Sequence, residues 1–426
     1  MRNVIYKLRW RLERVTKTDL AYLTKGGSWL LSGNVATIIL GILLAIVFAR
    51  VLPKEFYGNY QYIISLAGLI SILHLHGIGV AIKRSVARGY EGIVRRGISL
   101  FAKWSLVASG LTLIIALYYF FNNDFNLALS LVIVSIGLPI WNSTRLFNSF
   151  LIGRREFKVV TKYMFISILV PTVLLIVVAT LKNDSVPLLV LTYFVGHGAI
   201  NYLTLKHTLR RFPPNDKLDE ADVSFGKHMS VMRVFATAIE HIDKVLIFHF
   251  LGAVPVAVYA FATAVPLRFR GLYEIVDALV FPKLSANRQS RSFKNIFYKT
   301  ILFTLVAVAL VGVYILLAPL LFSILFPAYE EAVVYSQVFA LALAALALGS
   351  LPIQALQAGR AQKHLYAQNI IVPLVNILLL IVLIPLYGLW GAIFARIIGN
   401  AFGSLLALVL LYILSLIHIS EPTRPY

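Results

Sequence analysis

Apolar runs long enough to cross a bilayer recur along the whole of this 426-residue chain. They can be placed at 28–49, 58–80, 98–121, 126–150, 159–181, 186–205, 228–251, 254–281, 300–326, 331–356, 365–386 and 389–413. A spanning helix uses about 20 residues, so the sequence predicts an all-α polytopic membrane protein with about twelve transmembrane helices. Short connections supply the expected turn residues, as at Leu52-Pro53, Asn122-Asn123-Asp124 and Tyr387-Gly388. Composition agrees: 59% of the residues are hydrophobic and 13% charged, a balance that a soluble monomer cannot bury.

The net charge of +21 sits mainly between the apolar runs. Counted over alternate connections, with Lys162 at the start of the fifth window included, one set holds 28 lysines and arginines and the other only Arg50, Lys54 and Lys182. That asymmetry predicts a multi-pass protein of the cytoplasmic (inner) membrane with its N-terminus in the cytoplasm, facing anionic lipids. No helix-turn-helix, zinc-finger or RNA-binding signature is present, so nucleic acid is not an expected partner. The absence of cysteine excludes disulfides, thiol nucleophiles and thiolate metal sites.

Three polar segments punctuate the chain. Residues 1–26 read as a basic amphipathic segment, with Ile5, Leu8, Leu12 and Val15 at helical spacing among Arg and Lys. Residues 206–227, including the acidic run Asp216 to Asp222, fall between the sixth and seventh windows. They read as a cytoplasmic linker rather than a metal or nucleotide-sugar site, joining an N-lobe (27–205) to a C-lobe (228–413). Residues 414–426 resemble the translation of a sequencing-library adapter, so His418 and Arg424 receive no functional weight.

Ionisable residues inside spans cost roughly 2.5–3.5 kcal/mol each on insertion scales and are therefore functional candidates. The cations are Arg145, Arg233, Lys244, Arg268, Arg270 and Arg396, and the carboxylates are Glu240, Asp243, Glu274 and Asp277. At about 100° per residue, Arg233, Glu240 and Lys244 share one helix face, as do Arg270, Glu274 and Asp277. The four-residue pairs Glu240–Lys244 and Arg270–Glu274 offer a purely structural alternative, intramembrane neutralisation. Arg145 and Arg233, near span ends, can also snorkel. Guanidinium and ammonium groups in a wet cavity suit an anionic, phosphate-bearing cargo and repel a cationic one.

Several local patterns occur together and in order. Ala49-Arg50-Val51-Leu52-Pro53-Lys54-Glu55-Phe56-Tyr57-Gly58 leads to Gly77-Ile78-Gly79-Val80. Later come Ile242-Asp243-Lys244-Val245, Phe281-Pro282-Lys283-Leu284-Ser285, Leu325-Phe326-Pro327-Ala328-Tyr329-Glu330-Glu331 and Gly388-Leu389-Trp390-Gly391-Ala392. This series resembles the polysaccharide flippases of O-antigen and teichoic-acid type, in the MATE-like multidrug/oligosaccharidyl-lipid/polysaccharide exporter superfamily. The resemblance covers nearly all of residues 25–413. It implies two six-helix lobes around a central cavity, alternating access, and a transporter rather than an enzyme. The implied cargo is an oligosaccharide linked by pyrophosphate to a polyprenol, for cell-surface polysaccharide or lipopolysaccharide biosynthesis. Polysaccharide assembly proteins are further candidate partners. The Asp243-Lys244 pair matches the family's span-seven pair, with an implied role in folding or gating.

Two other readings stand beside this one. A multidrug or toxin exporter of the same superfamily, coupled to sodium or protons, resembles it in fold. That mechanism carries a buried carboxylate in its first span, whereas residues 27–50 offer Asn34 instead. Glu240, Asp243, Glu274 and Asp277 remain candidates for ion coupling or gating in either case, and no other cofactor is expected. A membrane glycosyltransferase or polymerase would need an aqueous catalytic site on a sizeable loop, and every outer loop here is short.

Overall fold

A computed structural model describes residues 20–181, 185–271, 273, 293–358 and 362–420. Glu274, Asp277, most of the basic N-terminal segment and the end of the adapter-like tail lie outside the described residues. The protein is an all-α membrane protein, with no strand among the described residues.

The helices are α1 (Leu20–Val51), α2 (Lys54–Ile70), α3 (Gly77–Ala87), α4 (Ile93–Phe121), α5 (Phe125–Thr144), α6 (Leu146–Gly153) and α7 (Phe157–Thr180). They continue as α8 (Val186–Arg211), α9 (Glu220–Leu251), α10 (Ala253–Ala264), α11 (Phe293–Leu325), α12 (Ala332–Ala358), α13 (Gln362–Tyr387) and α14 (Leu389–Ser420). Breaks fall where the chain's chemistry demands them. Asn123 turns at φ 62°, and Asp124 then caps α5 by accepting from the Leu127 amide at 3.0 Å. Gly252 (φ 87°) and Gly388 (φ 58°) separate α9 from α10 and α13 from α14, in a backbone region where other residues are strained.

Nine described helical segments are long and apolar enough to cross a membrane, or ten if α2 and α3 form one span bent by 52°. The described residues therefore do not confirm the expected count of twelve. In the 228–251 window, Arg233, Glu240, Asp243 and Lys244 interrupt the apolar stretch of α9. In the 254–281 window, α10 is only 12 residues long. The α2–α3 bend centres on Leu75, which adopts a left-handed conformation that no turn residue in the sequence announces. Large apolar side chains cover the exterior, with Leu316 on α11 80% exposed. That outside-in pattern identifies lipid as the solvent of these faces.

Two compact units divide the chain. One draws on Met1–Val47 and Ile70–Arg233, the other on Phe48–Leu69 and Val234–Tyr426, so α1 and α9 contribute to both. In the first unit Ile78, Ile82, Ile93, Val94 and Phe150 form a core beneath α3, α4 and α6. The polar stretch before α9 is pinned to that core's rim. Arg88 pairs with Asp219 at 2.6 Å and Asp222 at 2.5 Å, and Arg95 with Asp216 at 2.5 Å. Arg154 grips both oxygens of Glu91 at 2.6 Å, and Glu91 also accepts from the Asn215 amide at 3.1 Å. Burial alone would raise the Glu91 carboxyl, but these hydrogen bonds and the Arg154 charge hold it below the usual carboxylate range. Asp216, Asp219 and Asp222 of the acidic run are thus each paired with an arginine.

In the second unit Ile247, Val256, Tyr259, Leu380, Ile384 and Ile393 form the core shared by α9, α10, α13 and α14. Lipid supplies no hydrophobic drive between helices, so close approach and dispersion must hold this packing. Gly391 illustrates the point, because a Cβ there would overlap the Leu383 carbonyl.

Candidate functional site

The second unit encloses a cavity of about 570 Å³ walled by α9, α10, residues 266–271, α12, α13 and α14. That volume lies within the usual range of small-molecule sites, about 300–1,000 Å³. Its charged lining comprises Glu240, His241, Asp243, Lys244, Arg270 and Arg396.

Asp243 is the organising residue. It is 6% exposed, and its Oδ2 accepts from Tyr259 Oη and from Arg396 Nη2, each at 2.7 Å. Its Oδ1 accepts from the Lys244 amide at 3.0 Å. Arg396 also donates to the Ile239 carbonyl. A carboxylate this buried is tolerable only when paired and hydrogen-bonded, and both conditions are met. The consequence is that Arg396 and Asp243 cancel each other's charge.

Lys244 does not pair with Glu240 one turn before it. Its Nζ instead donates to Gln61 Oε1 on α2 at 2.9 Å, and Gln61 is steadied by donating to Tyr57 Oη at 2.8 Å. The Lys244 head group is therefore held by a neutral amide. Glu240 and Arg270 are both exposed and have no ion-pair partner among the described residues. Among the described lining residues, Lys244 and Arg270 thus stand against Glu240, a net positive formal balance.

The other sequence candidates lie elsewhere. Arg268 is exposed and does not line this cavity. Arg145 sits in the first unit at the turn between α5 and α6, with its guanidinium 5.3 Å from the Trp141 ring centre. Arg233 closes the first unit's share of α9. Sequence reasoning did not single out Tyr259, Gln61, Gln368, Asn376 or Asn400 as site residues. Polar side chains at helical spacing within apolar runs are the signal that marks the last three.

The polysaccharide biosynthesis protein family matches residues 23–287. No curated protein matches the sequence. Among solved structures, the chain resembles lipid II flippase MurJ in an inward closed conformation, at 15% identity and a TM-score of 0.66, over 93% of this chain and 94% of that one. It also resembles a multidrug resistance MATE family transporter of the MOP superfamily. The inward-facing form aligns at 14% identity and a TM-score of 0.67, over 91% of this chain and 96% of that one. The outward-facing form aligns at 14% identity and a TM-score of 0.60, over 94% and 95%. At such identities these likenesses show a shared fold. The family match spans more than half of the sequence, and the chain belongs to the polysaccharide biosynthesis protein family.

Proposed function

We propose that this protein is a flippase that moves a polyprenyl-pyrophosphate-linked oligosaccharide across the cytoplasmic membrane by alternating access. The observation that carries the reading is the set of ionisable side chains described around the cavity. With Arg396 consumed by Asp243, Lys244 and Arg270 still outnumber Glu240. Ammonium and guanidinium groups in a low-dielectric cavity favour phosphate oxygens and disfavour a cationic drug. Membership of a polysaccharide biosynthesis family supports a sugar-bearing cargo. The fold's occurrence in inward- and outward-facing forms supports alternating access. The basic connections, on the positive-inside rule, support a cytoplasmic N-terminus.

An ion-coupled exporter is the second reading, favoured by Glu240, an exposed cavity carboxylate without a partner among the described residues. Proteoliposomes distinguish the two. N-acetylglucosaminyl-pyrophosphoryl-undecaprenol should be transferred, a cationic dye should not be expelled, and Arg270→Gln should lower transfer while leaving membrane abundance unchanged. Dye efflux without lipid transfer would reverse the assignment. Glu240→Gln tests coupling: a response to an imposed sodium or proton gradient that survives intact removes Glu240 from that role.

A further inference from the structure

Glu240 and Lys244 stand one turn apart on α9, and both line the cavity. At that spacing a carboxylate followed by a lysine ordinarily closes into a pair, and a low dielectric strengthens the attraction. Here the pair is open. Lys244 Nζ turns to Gln61 Oε1 at 2.9 Å, and Glu240 stays exposed with no ion-pair partner among the described residues.

The contacts around Gln61 fix the acceptor that prevails. Lys244 donates to the amide oxygen, while the amide nitrogen is turned away by its bond to Tyr57 Oη at 2.8 Å. Tyr57 is buried, with its ring 4.8 Å from that of Phe261 on α10, which is buried as well. α2 is also seated on α9 to either side of Gln61. The Tyr62 ring stacks on Phe248 at 3.8 Å, and the His241 ring fills the space that a Cβ on Gly68 would need. Gln61 is thus held from two other helices, whereas nothing but this hydrogen bond separates Lys244 from a carboxylate on its own face of α9. An apolar residue at position 61 would avoid desolvating an amide, and it would also leave Lys244 free to close on Glu240.

We propose that Gln61 is a positioning residue that keeps Lys244 off Glu240. A lysine head group carries more than one donor, and the Gln61 bond uses one, so the others can meet the pyrophosphate of the cargo. Closed on Glu240, the same head group would greet an arriving anion with a carboxylate beside it. This rests on the flippase reading and names the residue that sets the anion preference of the same cavity.

The test measures binding of undecaprenyl pyrophosphate and of uncharged undecaprenol to the full chain in nanodiscs. Gln61→Met, close in shape, should weaken undecaprenyl pyrophosphate by about fivefold to tenfold and leave undecaprenol unchanged. Gln61→Glu, which sets a carboxylate against Lys244, should weaken it at least as much. A double-mutant cycle with Glu240→Gln separates positioning from packing. In the Gln61→Met background that change should restore most of the lost affinity, a gain about fivefold larger than it gives the wild type, and in Gln61→Glu it should restore little. Equal gains in the wild-type and Gln61→Met backgrounds overturn the proposal, because a residue that merely fills space gives no such rescue. Unchanged affinity in Gln61→Met overturns it too, as does a loss shared by both lipids. Wild-type binding that fails to distinguish undecaprenyl pyrophosphate from undecaprenol instead overturns the flippase reading, and this inference with it.

Discussion

Replacing Arg396 with methionine tests whether the Asp243 cluster is a structural unit. The change leaves the carboxylate with Tyr259 Oη and the Lys244 amide and removes its bonded cation. Breaking a buried pair from one side costs about 3–5 kcal/mol, because the surviving charge is left uncompensated. Removing both charges is far milder: in Arg396→Met/Asp243→Asn the asparagine oxygen still accepts from Tyr259. For a unit of this size each kcal/mol moves the melting temperature by about 2–4 °C, so the single variant should melt on the order of 10 °C lower. The double variant should recover most of that difference. The assay is thermal unfolding in nanodiscs at one fixed heating rate, which keeps irreversible transitions comparable. A single variant melting within about 1 °C of wild type, or additive losses in the double variant, would falsify the idea that Arg396 is committed to Asp243.

The Glu91 clamp predicts a pH effect. A carboxyl whose folded pKa is depressed stabilises the protein above its unfolded value and loses that contribution as pH falls through the folded value. Glu91→Gln should therefore melt lower than wild type at pH 7 and converge with it under acid conditions; a constant gap from pH 7 down to pH 3 would count against the clamp. Two glycines make a matched pair for a packing test. Gly391→Ala should lower melting temperature and yield because its Cβ meets the Leu383 carbonyl, whereas Gly110→Ala, with open space around it inside α4, should stabilise by about 0.5–1 kcal/mol. Indistinguishable melting of the two would remove close backbone contact as the explanation.

The helices were legible where the apolar signal is uninterrupted. From α4 to α8 and from α11 to α14, the expected windows fall on the observed elements because lipid exposure requires continuous hydrophobicity. The α2–α3 bend was not legible, since it turns on a leucine with positive φ held by its surroundings. The candidate site was legible as a set of residue types but not as a set of partnerships. Four-residue spacing suggested Glu240–Lys244, yet Gln61, 183 positions away, takes the lysine. Arg396 lacked a carboxylate in its own helix and found one 153 positions earlier. Helical periodicity ranks neighbours along one helix; it carries no information about which groups on other helices compete for the same proton donor.

The arginine grip on Asp216, Asp219 and Asp222 bears on how the protein can be dissected. A gene split or an inserted epitope between residues 215 and 222 would strip the first unit of its counter-charges and leave Arg88 and Arg95 crowded on one rim. Co-expressed halves should therefore be divided so that this acidic stretch travels with the N-terminal fragment, although it is tempting to treat it as disposable tether.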